Sequence, residues 1–594
     1  MTSNDFNTIH VIDDRLKFWD SANYAVKTGG QSITTSVFNA QSASVNSHSF
    51  QIQVPSKDTV IDRRIMWTST VVLRVDGVPE VDTKLVRMGY NFALAPFPLH
   101  QLCSTIQCQI NANSLSTNVK DILPAILKLY DRPTLNSFNA TTPVQPDGAY
   151  ANYTDGYLGV DYGCNPSIPC NNNTLADYNF GSMHNDYVPR GSFKIDRVGN
   201  TFVDGVVGGA QQTGNGGHNV RTTYIQFTVT EPLVALSPWT FTNETSGGLY
   251  GITNLTFTMN MDASDRCRAL RWSNLFKYGA GAATTCQVVG YSKSSLTMTF
   301  ITPQSTQVLS PRCIVPYMEM PRFITSAPSI PAGQERDITL NTIALNNIPD
   351  MLIIFVRKRL SDQTGADSDF FLPIKGITMN FNNNSGILSG VPEYVLYEIS
   401  RQNGLNANYQ EWSGYATRNI PGQLAGDDNL RVSTCGAPLI LQFGKDIQLP
   451  SYLAPGSIGN YNLQFTLTVI NHLAVDINPE LVVITVNSGI FVCHSGSSSV
   501  FTGLLSRSDV LDCSQTAPVG HQDIRRLVGS GFMDKLRAIG HHSFRALKKL
   551  APHVLPIAKK LLAESGNEYA KHGANALGMM GYGKSGSALR RHAK

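Results

Sequence analysis

A chain of 594 residues is too long for one hydrophobic core, so two or more domains are required. Charged residues make up only 15%, against 49 Gly, 30 Pro and many runs of Ser, Thr and Asn, a balance that argues against a mainly helical body and for short strands joined by turns. The net charge of +4 hides an asymmetry: residues 518–594 hold 14 Lys and Arg against 4 Asp and Glu (+10), leaving 33 against 39 (−6) for the rest, so a basic tail follows a mildly acidic body.

In chain order, residues 1–45 are polar and lack sustained periodicity, as expected of a short extended N-terminal arm. The start, MTSNDFNTIHVIDD, has neither the basic nor the apolar region of a signal peptide, and no apolar stretch approaches the roughly 18–20 residues of a membrane span. A protein made and kept in the cytosol or nucleus is expected. Period-two alternation then recurs at Phe50, Ile52, Val54; at Ile65, Trp67, Val71, Leu73, Val75; at Ile225, Phe227, Val229; at Leu255, Phe257, Met259, Met261; and at Leu296, Met298, Phe300. These are half-buried strands. Residues 131–220, rich in Asn, Asp, Tyr and Gly, form a long loop, and loops of that length carry function or are unstructured. Short helices are predicted over 118–130, 264–277 and 392–403, the last with Pro392 at its first turn and Gly404 at its end.

A second β block brings apolar runs at 351–356 and 481–486, with alternation at Leu439, Leu441, Phe443 and at Leu463, Phe465, Leu467, Val469. Four prolines in PRCIVPYMEMPRFITSAPS mark the join near residues 311–329, because proline is hard to accommodate in a central strand. The expected division is an arm (1–45), a first sandwich with long loop insertions (46–315), a second sandwich (316–516) and a basic amphipathic tail (517–594). In the tail, Phe532, Leu536, Ile539, Leu547, Leu550, Val554, Ile557 and Leu561 trace one apolar helical face. Lys535, Arg537, Arg545, Lys548, Lys549, Lys559 and Lys560 flank it, and Pro552 and Pro556 divide it into two short segments. Such segments suit DNA phosphates or an anionic membrane; the plainer reading is a solvated helix packed on the body.

Catalytic and metal motifs fare poorly. GMMGYGKS (residues 578–585) fits the phosphate-loop pattern in letters, but no strand precedes it and only nine residues follow. There is no HExxH, GxSxG or paired-carboxylate constellation, and His100, His472 and His494 fall in separate segments, as surface or satisfied core histidines do. The ten Cys, including the close pairs Cys103/Cys108 and Cys164/Cys170, lack zinc-ligand spacing and read as free buried thiols. No cofactor is implied, and the sequons at Asn139, Asn152, Asn172, Asn243 and Asn254 carry little weight without secretion.

Six segments carry a resemblance: APFPLHQL (95–102), STIQCQINANSLSTNVKDILPAIL (104–127), EPLVALSPW (231–239), NNIPDMLIIFVRKRLSD (346–362), NGLNANYQEWSGY (403–415) and LILQFGKDIQLPSYLAPGSIGNYNLQFTLTV (439–469). Together they resemble the double jelly-roll major capsid proteins of polinton-like viruses, virophages and adintoviruses, relatives of the adenovirus hexon lineage. The resemblance implies an all-β fold of two tandem eight-stranded jelly rolls with an α-helical basic C-terminal tail. It implies a homotrimeric, pseudo-hexagonal capsomer that tiles the icosahedral shell of a small double-stranded DNA virus, beside neighbouring capsomers, penton and minor capsid proteins. The place of action is then the virion, assembled in host cytoplasm or nucleus, and no catalysis is required. The related viruses mature through a cysteine protease whose sites resemble (Met/Ile/Leu)-x-Gly-x before Gly. LVGS|G (527–531) and MMGY|G (579–583) match it, nominating cleavage between Ser530 and Gly531 and between Tyr582 and Gly583, which would free a peptide for genomic DNA or a membrane. The tail departs from the hexon pattern, which has no such extension. Two other readings stay open: a two-domain β-sandwich spike that binds a receptor or glycan through its Tyr/Asn/Gly loops, and a β-sandwich glycoside hydrolase, which needs two carboxyls about 5 to 10 Å apart.

Overall fold

In the computed structural model, the described residues are 8–10, 25–27, 32–79, 92–138, 142–147, 151, 194–199, 212–213, 219–234, 236–239, 248–264, 266–272, 285–303, 309, 312–419 and 429–503. Near the start, β1 (Thr8–His10) and β2 (Ala25–Lys27) pair in parallel. Two antiparallel sheets build the first sandwich. A five-stranded sheet runs in the order β10 (Asn113–Thr117), β9 (Cys103–Ile110), β14 (Leu255–Met261), β5 (Ser47–Ile52), β4 (Ser42–Ala43). The facing sheet runs β11 (Lys194–Gly199), β13 (Asn219–Pro232), β7 (Met66–Pro79), β16 (Thr285–Thr302), β3 (Ser32–Asn39), with β6 (Val60–Ile61) and β12 (Gln212–Thr213) added at the side.

The alternation read from sequence places Phe50, Trp67, Phe227, Phe257 and Met298 in the core, each essentially without solvent contact. Opposite them, threonines lie on the outer face of the larger sheet and bond across strands: Thr68 to Thr230 and Thr70 to Thr228 at 2.9 Å, and Thr35 to Thr299 at 3.2 Å. The segment read as an arm therefore divides. Its stretch Ser32–Asn39 is an edge strand in register with Ser295–Thr302, because Phe38 reaches the Phe300 ring at 5.9 Å.

The second sandwich repeats the plan. Its six-stranded sheet has β17 (Cys313–Glu319), β28 (Pro479–His494), β21 (Met351–Lys358) and β26 (Leu439–Gln442) in that order, with β18 (Arg322–Ser326) and β29 (Ser497–Thr502) also on β28. The facing sheet orders β19 (Glu335–Thr339), β27 (Ile458–Ile470), β22 (Ile374–Phe381) and β23 (Asn384–Ile387), with β20 (Ile343–Asn347) on β27. Two smaller ribbons complete the set: β8 (Phe92–Leu94) with β15 (Leu270–Trp272), and β24 (Tyr415–Asn419) with β25 (Asn429–Ser433). One continuous apolar cluster runs through both sandwiches.

Helices are few and short: α1 (Pro98–Gln101), α2 (Val119–Leu127), α3 (Arg132–Ser137), α4 (Glu393–Gln402) and α5 (Tyr409–Trp412). Those expected at 118–130 and 392–403 are present as α2 and α4. The helix expected over 264–277 is absent where that segment is described: Leu270–Trp272 forms a strand against Phe92–Leu94, and the Ala95 amide bonds the Ala269 carbonyl at 2.8 Å. The two arginines of this segment, Arg268 and Arg271, instead serve a tertiary contact described next.

Candidate functional site: the ionic seam between the sandwiches

What makes the two sandwiches one body is a buried charged seam. Arg268 and Arg271, flanking an apolar pair in RALRW, leave the first sandwich and enter the second. Arg271 is fully buried, its Nε 3.1 Å from the Asp147 carboxylate and its Nη2 3.1 Å from Asp369. Arg268 meets the other Asp369 oxygen at 2.9 Å and donates to the Asp367 carbonyl at 2.7 Å, the Ser368 carbonyl at 3.0 Å and the Thr364 carbonyl. Burial, reinforced by the neighbouring Arg271, lowers the Arg268 guanidinium below its ordinary pKa, and Asp369 and Asp367 oppose that shift. Gln101 of α1 closes the group, donating to Asp369 at 2.6 Å.

Helix α2 supplies the second half. Asp121 accepts from Arg357 at 2.5 Å and from Arg322, both of the second sandwich, while Arg357 also holds Glu480 at 2.7 Å. Lys128, just past the helix end, donates to the Asp147 carbonyl at 2.9 Å and lies 3.7 Å from Glu411 of α5. Burial raises the Glu411 carboxyl, with Lys128 pulling the other way. Nearby, the Asn406 amide donates to the Lys128 carbonyl at 2.9 Å and its side chain to that of Tyr130 at 2.8 Å. Close packing completes the joint: a Cβ on Gly365 would lie 1.9 Å from the Trp272 ring, so only glycine lets the chains approach so closely. Each charge in this seam has a counter-charge, the condition under which buried ions are tolerated, and losing one partner strands the other.

A second buried network fixes α1. The Glu231 carboxylate accepts from the Leu99 and His100 amides at 2.9 and 3.2 Å, from the Thr142 hydroxyl at 3.0 Å and from His100 Nδ1 at 2.6 Å. His100 Nε2 accepts from the Val234 amide at 3.3 Å, so the ring is a satisfied core histidine, as expected. The conspicuous sequence segments thus meet in space: APFPLHQL and EPLVALSPW through Glu231, and those holding Gln101, Asp121, Arg357 and Glu411 across the seam. Sequence reasoning missed Arg268, Arg271, Asp147 and Asp369, whose only signal was a pair of charges inside an apolar run.

The other expectations separate. His472 is half-buried near Tyr415, with ring centroids 5.2 Å apart, and His494 is exposed; neither joins His100. The seven described cysteines are all buried. Among the described residues no group of three or more His, Cys, Asp and Glu is placed to hold a metal, and no helix is long and apolar enough to cross a membrane. Ser530, Gly531, Tyr582, Gly583, the tail residues Lys535, Arg537, Arg545, Lys548, Lys549, Lys559 and Lys560, the phosphate-loop-like segment and most of the 131–220 loop lie outside the described residues.

Comparison with known proteins agrees with this architecture. Residues 4–301 match the family model for the Sputnik virophage major capsid protein 1st domain, and residues 320–489 match that for the major capsid protein V20 C-terminal domain. The chain is 26% identical over 598 residues to the putative capsid protein V20 of Sputnik virophage, covering 98% of this chain and 94% of that one. In fold it is similar to a chain of the 3.5 Å cryo-EM structure of the Sputnik virophage, with a TM-score of 0.67 and 23% identity over 89% of this chain and 100% of that one. It is also similar to the mavirus major capsid protein, with a TM-score of 0.62 and 14% identity over 87% and 99%. Two sandwiches in tandem, the matched models and these likenesses identify the fold as a double jelly roll, and the chain belongs to the Sputnik virophage major capsid protein family.

Proposed function

We propose that this major capsid protein acts as a homotrimeric capsomer whose six jelly rolls give a pseudo-hexagonal tile of the icosahedral virion shell. The observation that carries the reading is the seam: ion pairs and one continuous core make two like sandwiches a single block, so three copies present six similar units. Apolar side chains left exposed on edge strand β3, Ile33 at 51% and Val37 at 61%, are candidates for coverage by neighbouring copies. The role is mechanical, with no reaction to catalyse and no cofactor to hold. Penton and minor capsid proteins are the expected neighbours at the edges and vertices of such tiles.

The basic tail belongs to the same reading. A viral cysteine protease is expected to cut between Ser530 and Gly531, and at Tyr582/Gly583, releasing a peptide whose Lys and Arg engage genomic DNA or an anionic membrane. Negative-stain imaging of recombinant protein tests the capsomer: hexagonal trimers or curved sheets are expected, whereas monodisperse monomers would overturn it in favour of a receptor- or glycan-binding spike. Mass spectrometry of purified particles tests the tail, and an intact C-terminus on every copy would remove the cleavage.

A further inference from the structure

Two pairs of cysteines flank the crossings between the sandwiches. Cys313, the first residue of β17, stands opposite Cys493 of β28 in an antiparallel register. Directly opposed residues in such a ladder have Cα atoms about 4.5 or 5.5 Å apart, within the span of a disulfide. Both side chains are buried on the same face, against the first sandwich: Cys313 Sγ lies 3.8 Å from the Gly248 carbonyl, and a Cβ on Gly251 would lie 3.5 Å from Cys493 Cβ. In the other pair, the Cys267 amide donates to the Cys286 carbonyl at 2.9 Å, beside a parallel bridge between Arg266 and Cys286, and both side chains are buried. Cys267 immediately precedes Arg268, so this pair sits at the root of the segment that carries both seam arginines.

We infer that Cys267/Cys286 and Cys313/Cys493 are built disulfide sites that close by exchange with a small-molecule disulfide, each tying neighbouring strands beside the seam within its own sandwich. In each pair one thiolate attacks the external disulfide, forming a mixed disulfide and expelling one small thiol. The second cysteine then loses its proton to water and attacks the protein sulfur of that mixed disulfide, expelling the second small thiol. Two S–H bonds become one S–S bond, and the two electrons reduce one external disulfide to two thiols. Burial raises the Cys313 thiol and pushes Cys493 up to about 12, which disfavours the attacking thiolate while the pair stays closed. All four thiols are shielded from solvent, so exchange waits on local opening and is slow.

The test uses the full-length protein, freed of reductant and incubated with oxidised glutathione, then denatured, alkylated and mapped by peptide mass spectrometry without reduction. The expected result is a Cys267–Cys286 and a Cys313–Cys493 cross-link, four fewer alkylated thiols, and a melting temperature several degrees higher that returns to baseline with dithiothreitol. Cys286→Ala and Cys493→Ala should each remove one cross-link and part of the rise. A parallel incubation just below the melting temperature lets the buried thiols open. If all ten cysteines still alkylate there, carry glutathione only, or link in other pairs, the inference is overturned.

Discussion

The two sandwiches share a plan but differ in how their strands are buried, and the difference explains why one announced itself as alternation and the other as solid apolar runs. In the first, β14 alternates buried and half-buried positions along its length, because its outer face is open. In the second, the first seven residues of β21 and the first nine of β28 are all buried. One face of β21 meets its partner sheet; the other carries Phe355 against the Phe371 ring at 4.9 Å and Arg357 against Asp121 of the first sandwich. The unbroken hydrophobic run is therefore the imprint of what covers its outer face, the Phe371 segment of its own sandwich together with α2 of the first.

The largest way to break this relation is at the seam. Arg271→Ala leaves Asp147 buried without its guanidinium, removes the Arg271–Asp369 pair across the seam, and is expected to destabilise the chain by about 3–5 kcal/mol. Calorimetry should show a lower first transition and separation of the two sandwiches into distinct steps; a single unshifted transition would show that the seam does not couple them.

The first sandwich can next be perturbed alone, by acid. His48 lies between its sheets, facing the Trp67 and Tyr291 rings, the Ser294 hydroxyl at 3.0 Å and the Ser44 backbone, with no carboxylate among these contacts. Burial lowers its pKa from 6.5 to about 4. The folded-state value lies below the unfolded one, so the folded chain favours the neutral ring; this contribution is full above pH 6.5 and is lost as pH falls from there through 4. The loss amounts to roughly 3 kcal/mol. His48→Asn should flatten the pH slope of the melting temperature over that window, and an unchanged slope would assign the acid sensitivity elsewhere.

A complementary change strikes the second sandwich. Gly436 has φ +64°, and a Cβ there would lie 2.0 Å from the Phe371 carbonyl oxygen. Gly436→Ala is expected to cost about 2 kcal/mol, lowering only the second-sandwich transition once the seam is cut. The smallest effect on folding is at the edge. Val37→Asp should change monomer stability by no more than about 0.5 kcal/mol yet reduce assembly, as seen by light scattering; normal assembly would clear β3 of any part in contacts between copies.

Much of this molecule was legible in the chain itself. Alternation at Leu255, Phe257, Met259 and Met261 needs only the two-residue period of a strand beside a core, and Pro392 with Gly404 brackets α4 because each acts through its own backbone. Composition, likewise, separated a basic tail from an acidic body. Local rules could not say that Ser32–Asn39 is an edge strand, that residues 266–272 open out to carry arginines, or that Asp121, 236 residues before Arg357, is its partner. Those facts depend on which surfaces meet, and a buried charge is stable only where the fold brings its counter-charge. The sequence determined the strands and the double plan; the meeting of the two sandwiches decided what the isolated charges were for.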